Sequence, residues 1–179
     1  MNGPNILTLL RVCLIPILVI VLLSSWNNKD LIAISVFLLA ALTDLLDGLW
    51  ARKKKQITAF GELLDPVADK LLIASAFICL VEMERVPAWM VVIIIGREIA
   101  VMGFRAIASS KGIQIPASIF GKIKMNAETF TIALLILGSG YLGKYILIAQ
   151  IGLWISVAAA IVSAVEYIVK FGARVVGKS

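Results

Sequence analysis

The sequence predicts an all-α integral membrane protein, a bundle of six transmembrane helices with a short N-terminal amphipathic segment beside the membrane. Three observations carry that expectation. Hydrophobic residues make up 61% of the 179 residues and mean hydropathy is +1.02, far more apolar than an average soluble domain. Apolar runs recur along the whole chain, each near the ~20 residues that a spanning helix needs. Basic residues gather on alternate connections between those runs, as the positive-inside rule requires of a multispanning chain.

The elements follow in order. Residues Asn2–Leu10 read as an amphipathic approach along the membrane surface, leading into a first span at 6–25. Arg11 before an apolar run that ends at Ser24-Ser25 also fits a signal peptide. The five further runs favour an uncleaved first helix. The second and third spans, 30–51 and 57–82, are joined by Arg52-Lys53-Lys54-Lys55-Gln56. That run is too polar to stay in lipid and reads as a water-exposed turn. Spans four to six are expected at 86–109, 117–139 and 143–169. The stretch Gly138-Ser-Gly140-Tyr-Leu-Gly143 has the composition of a phosphate loop, but it falls at the wrong end of the bundle and reads as a connecting turn. Cys13 and Cys79 are isolated in apolar stretches, which suits packing and implies no disulfide. With no long linker, internal repeat or low-complexity segment, residues 1–179 read as one membrane domain.

Charge sets the orientation. One side collects Arg11, Arg52–Lys55, Arg105, Lys111, Lys122, Lys124, Lys170, Arg174 and Lys178, while the other has Lys29, Arg85 and Lys144. Both termini and the turn after the second span are therefore expected in the cytoplasm. The net charge of +6 requires no nucleic-acid partner, because anionic lipid at the cytoplasmic leaflet suffices.

Against this background four aspartates stand out: Asp44, Asp47, Asp65 and Asp69. A charge at the bilayer centre costs roughly 2.5–3.5 kcal/mol, so four at full depth would cost on the order of 10 kcal/mol. Asp44 and Asp47 are three apart and Asp65 and Asp69 four apart, so each pair shares a helix face. If the basic turn joins two antiparallel helices, Asp47 and Asp65 stand at nearly the same depth and all four line one cleft. Bound cations best explain such a mutually repelling group. The cluster is all carboxylate, the chain has no histidine, and hard oxygen ligands suit Mg²⁺ or Mn²⁺ rather than zinc. Four acids can hold two ions, an arrangement used for in-line displacement at phosphorus. Gly48, Ala51 and Gly61 fall on the acid-bearing faces and let a ligand approach the backbone, and Arg52 can pair with a phosphate.

At these residues the chain resembles the CDP-alcohol phosphotransferases. Their signature D-x2-D-G-x2-A-R-x8-G-x3-D-x3-D is filled at every fixed position, by Asp44, Asp47, Gly48, Ala51, Arg52, Gly61, Asp65 and Asp69. The resemblance implies that the first three aspartates bind metal and the nucleotide diphosphate. It further implies that Asp69 is the general base for the acceptor hydroxyl, that Gly48, Ala51, Arg52 and Gly61 frame the nucleotide, and that the protein is a homodimer.

A second set of charges lies in the later spans: Arg97-Glu98, Arg105, Lys122 and Lys124. Arg97 and Arg105 are about two turns apart and near one face, whereas Lys122 and Lys124 cannot both point the same way. Snorkelling to the interface is the plain reading; a cationic pocket for an anionic acceptor is the functional one. The opening Pro4-Asn5-Ile-Leu-Thr8-Leu-Leu-Arg11, Gly96-Arg97-Glu98-Ile99 and Gly121-Lys122-Ile-Lys124 are similar to the bacterial branch of the family that uses sn-glycerol 3-phosphate. That likeness implies transfer of the phosphatidyl group from CDP-diacylglycerol, with Arg97, Arg105 and Lys122 on the acceptor phosphate and Asn5, Thr8 and Lys124 as further candidate contacts. The element departs from the branch pattern Thr-x-x-Gln, reading Met125-Asn-Ala-Glu128, and Glu128 is expected to point away from the cleft or to pair with Lys124. Another acceptor alcohol therefore stays open: inositol phosphate, serine or phosphatidylglycerol. A cation transporter is the reading from another class, but a conducting path needs acids at several depths, and none lies between Ile32 and Leu42 or between Leu71 and Val81.

Overall fold

The computed structural model describes the backbone of residues 3–54, 59–112 and 119–176, and side chains within 7–43, 64, 66–112 and 125–170. Every regular element among the described residues is helical: α1 (Gly3–Leu23), α2 (Lys29–Lys54), α3 (Ala59–Glu82), α4 (Ala88–Ser110), α5 (Ile119–Leu142), a 3₁₀ turn at Gly143–Tyr145, and α6 (Ile146–Val176). These track the six apolar runs. Helix α3 is central and packs on α1, α2, α4 and α5; α6 closes the far side against α4 and α5.

One expectation changes at the N-terminus. Residues 3–23 form one continuous helix, not a surface segment followed by a span. Thr8 and Arg11 are buried against the bundle, Arg11 at 0% exposure. A helix that keeps both on the face turned to its neighbours continues straight into the core.

The apolar core occupies one half of the bundle. Leu18, Leu22, Phe37, Ala76, Phe77, Leu80, Ile94, Ile132 and Ile136 are sealed there, and Cys79 belongs to the same cluster, while Cys13 is exposed on α1. The outward faces are equally apolar: Ile20, Ile78, Val92, Ile99, Phe130, Leu147, Ile168 and Val169 are each more than half exposed. An exterior of that kind suits hydrocarbon. Residues 125–170 form a helical stretch whose most apolar window has a mean hydropathy of 2.2, long and apolar enough to cross a membrane. It is folded into a hairpin by a break at Gly138 and by the 3₁₀ turn. The two arms come so close that a side chain on Gly152 would collide with the Thr131 hydroxyl.

The turn after α3 shows how sequence fixes geometry at this end. Arg85 N–H donates to the Leu80 carbonyl and Glu84 N–H to the Val81 carbonyl, the paired pattern that closes a helix around a left-handed residue. That residue is Glu84, at φ +58°, where glycine would be free of strain. The reversal points Arg85 back into the bundle. Its Nη2 forks onto the Asp30 carboxylate at 3.0 and 2.8 Å, and Nη1 donates to the carbonyls of Leu135, at 3.1 Å, and Ile136. Those carbonyls lie just before Gly138, whose φ +63°, ψ −175° interrupts the helical ladder. Arg85 thereby ties α2 and α5 to the α3–α4 turn.

Candidate functional site

The half of the bundle away from Arg85 buries polar residues beside a small apolar cluster of Val101, Ala108 and Tyr167. Thr8, Arg11, Thr43, Glu128 and Ser163 are all buried there, where the apolar core gives way. Helix packing brings the acid-bearing helices together. Helices α1 and α2 pack together and are joined by a short turn around Trp26, so they run antiparallel. Counting outward from Trp26, Thr8 and Asp44 are equidistant along their helices. Helices α2 and α3 also pack on each other, and counting outward from residue 56, Asp47 and Asp65 are equidistant. The two acid pairs thus sit on adjacent helices, α2 and α3.

Sequence-predicted residues divide by what is described. The side chains of Asn5, Asp44, Asp47, Gly48, Ala51, Arg52, Gly61, Asp65, Lys122 and Lys124 lie outside the described residues; their positions on α1, α2, α3 and α5 are given by the backbone. So does the expected pairing of Glu128 with Lys124; Glu128 itself is 4% exposed.

The described part of the site is a run of alternating charges across three helices. Asp69 on α3 is 19% exposed, and its Oδ2 is 3.8 Å from Lys70 Nζ, an ion pair too long for a hydrogen bond. Lys70 Nζ lies 3.3 Å from Glu98 Oε2 on α4. The other Glu98 oxygen, Oε1, accepts from Arg97 Nη1 at 2.7 Å. Arg97 Nη2 then donates to the Ser163 hydroxyl on α6, and the guanidinium lies 5.8 Å from the centre of the Tyr167 ring, within cation–π range. Only 9% of the Arg97 side chain is exposed. Arg105, two turns on, is exposed.

Sequence reasoning had singled out Asp69, Arg97 and Arg105 and missed Arg11, Lys70, Ser163 and Tyr167. Arg11 carried a signal, the opening motif, yet was read as an interfacial cation. Lys70, Ser163 and Tyr167 carried none, because their partners are on other helices.

The donor set can be judged for a metal. Oxygen is the only donor type offered by residues 44, 47, 65 and 69; Cys79 is walled into the apolar core and Cys13 faces outward. That chemistry fits a hard divalent cation and not a thiophilic one.

Comparison with known proteins defines the class. Residues 1–162 match the model of the CDP-alcohol phosphatidyltransferase family. The chain belongs to that family and is an enzyme of its kind. It is 38% identical to the CDP-diacylglycerol–glycerol-3-phosphate 3-phosphatidyltransferase of Bacillus subtilis, over 94% of each chain. It is 33% identical to the protein of the same name from Rickettsia felis, over 93% of each. A probable phosphatidylglycerophosphate synthase of Mycobacterium tuberculosis is 33% identical, over 94% of this chain and 81% of that one.

Proposed function

We propose that the protein transfers the phosphatidyl group of CDP-diacylglycerol to sn-glycerol 3-phosphate, giving phosphatidylglycerophosphate and CMP. Two aspartate couples on helices that pack on each other, in a chain whose relatives are named for that transfer, support this reading. The new bond joins the acceptor 1-hydroxyl oxygen to the lipid-bearing phosphorus; the bond broken joins that phosphorus to the bridging oxygen of the diphosphate.

Asp69 is the general base. Its carboxylate takes the hydroxyl proton as the oxygen attacks. Gly48, Ala51 and Gly61 leave room for the nucleotide against the backbone, and Arg52 pairs with a phosphate oxygen. Arg97, Arg105 and Lys122 hold the acceptor phosphate, with Asn5, Thr8 and Lys124 as further contacts. Asp44, Asp47, Asp65 and Asp69 would hold two Mg²⁺ or Mn²⁺ ions. Such ions, when bound, neutralise the diphosphate and the leaving group. The chain's own part is positioning and electrostatics, which carry most of the catalysis in phosphoryl transfers.

The six helices span the bacterial cytoplasmic membrane as one domain over 1–179, with both termini and the acids at the cytoplasmic face. Acyl chains lie against the apolar exterior, and the protein works as a homodimer.

The test is acceptor-dependent CMP release from CDP-diacylglycerol by purified protein in detergent with Mg²⁺. Release with glycerol 3-phosphate alone, and its loss with EDTA, is the expected result. Release only with inositol phosphate, serine or phosphatidylglycerol would retain the chemistry and replace the acceptor. No release with any acceptor would overturn the reading.

A further inference from the structure

The run from Asp69 to Tyr167 has a branch point. Glu98 is the residue through which the α3 side and the α4–α6 side of the site are joined, because its two carboxylate oxygens are divided between them. Oε2 faces Lys70 Nζ at 3.3 Å and Oε1 accepts from Arg97 Nη1 at 2.7 Å. The Glu98 side chain is 17% exposed and that of Arg97 9%, so water screens this group less than it screens a surface pair. Lys70, at 29%, is the wetter end.

The arrangement constrains Arg97. A guanidinium carries five N–H donors in a rigid fork. One hydrogen bond to Glu98 and one to Ser163 fix the plane of that fork, and the Tyr167 ring lies beside it. The buried Arg97 Nε–H has no hydrogen-bond partner among the described residues. Ser163 and Tyr167 are one turn apart on α6 and both are buried, so they form a firm seat. A flexible arginine would lose rotamer entropy on gripping an anion; one already held loses less. Lys70 is adjacent in sequence to Asp69, so whatever fixes Lys70 also fixes the turn of α3 that carries the base.

We propose that Glu98 is a positioning residue, acting through Arg97 and Lys70 to set the distance between the acceptor phosphate and the Asp69 carboxylate. This rests on the assignment of Asp69 as base and Arg97 as an acceptor contact. Its effect is on alignment: a bound acceptor whose hydroxyl is misplaced by about 1 Å can lose on the order of 10²-fold in rate.

Glu98→Gln tests it. The amide keeps the shape but puts an NH₂ group against one of the two cations. The expected result is a KM for glycerol 3-phosphate raised about 10-fold and a kcat lowered about 10-fold, the scale of one lost charged hydrogen bond. KM for CDP-diacylglycerol should stay within about twofold. Calorimetric titration of glycerol 3-phosphate into the detergent-solubilised variant should show the same loss of acceptor affinity without turnover. Lys70→Gln should lower kcat, and the double variant should cost less than the product of the two single effects, because both act through one carboxylate.

Wild-type kinetics in Glu98→Gln, or equal losses for both substrates in step with a lowered melting temperature, would overturn the proposal. So would multiplicative effects in the double variant. If Glu98→Gln does not fold, Glu98→Asp serves: it keeps the charge, is too short to reach both cations, and is expected to show the same split. Asp69→Asn run in parallel separates the two readings. Full turnover there removes the base assignment, whereas the calorimetric result bears on Glu98 and Arg97 alone.

Discussion

Asp69 is the proposed general base, and Lys70 supplies a cation on one side of it. Lys70 Nζ lies 3.8 Å from Asp69 Oδ2, at ion-pair distance. Asp69→Asn keeps the shape and removes the basicity. Turnover is expected to fall by about 10²–10⁴-fold, the range for a positioned general base, while binding of CDP-diacylglycerol persists. Single-turnover CMP release together with equilibrium lipid binding checks this, and unchanged turnover would remove Asp69 from its role. At this scale the acids were legible in the sequence, because a carboxylate in an apolar run demands an explanation. Arg11 was not. The rule that arginines gather at the cytoplasmic interface describes most of them, and nothing local marks the one that a helix face turns fully inward.

Among the elements, α5 is the one whose form depends most on a distant residue. The apolar run predicted a helix, and the glycines near its end predicted a turn. The reversal is built from an interruption at Gly138 and a 3₁₀ turn at Gly143–Tyr145, with helical backbone between them. The backbone there lies in a region essentially reserved for glycine, and a methyl group would come within 2.9 Å of the Arg85 guanidinium carbon. Gly138→Ala should therefore destabilise the protein by about 2 kcal/mol, from backbone strain together with a displaced Arg85. Arg85→Met should cost about as much, since it leaves Asp30 unpaired beside two orphaned carbonyls; the partial exposure of the pair, 23% and 16%, reduces the loss from that of a sealed ion pair. Thermal unfolding in detergent reads both, and a melting temperature unchanged in either would show the tie to be idle. Arg85 itself looked like one of three scattered cations on the lightly charged side. Its partners were illegible because sequence periodicity gives a helix its faces but not the neighbour each face meets.

For the whole molecule, the division into a dry half and a polar half is the organising fact. The core from Leu18 to Ile136 holds the bundle together, and the other half keeps Thr8, Arg11 and Ser163 buried, with Asp69, Arg97 and Glu98 partly buried beside them. The six helices were legible from apolar run lengths. The charge run from Asp69 to Tyr167 was not, since it crosses three helices. The proposed orientation has its own test in a protein with Cys13→Ser and Cys79→Ala. An impermeant maleimide added to intact cells should label Lys144→Cys and should reach Lys54→Cys only after permeabilisation. The reverse pattern would invert the topology.

The Arg85 tie also has a temporal side. A chain made from its N-terminus presents Asp30 first, then Arg85 55 residues later, then the Leu135 carbonyl after another 50. Asp30 has no counter-ion until the α3–α4 turn exists, and the tie is complete only when α5 arrives. The opening helices are therefore tied across the bundle only once the final hairpin is in place.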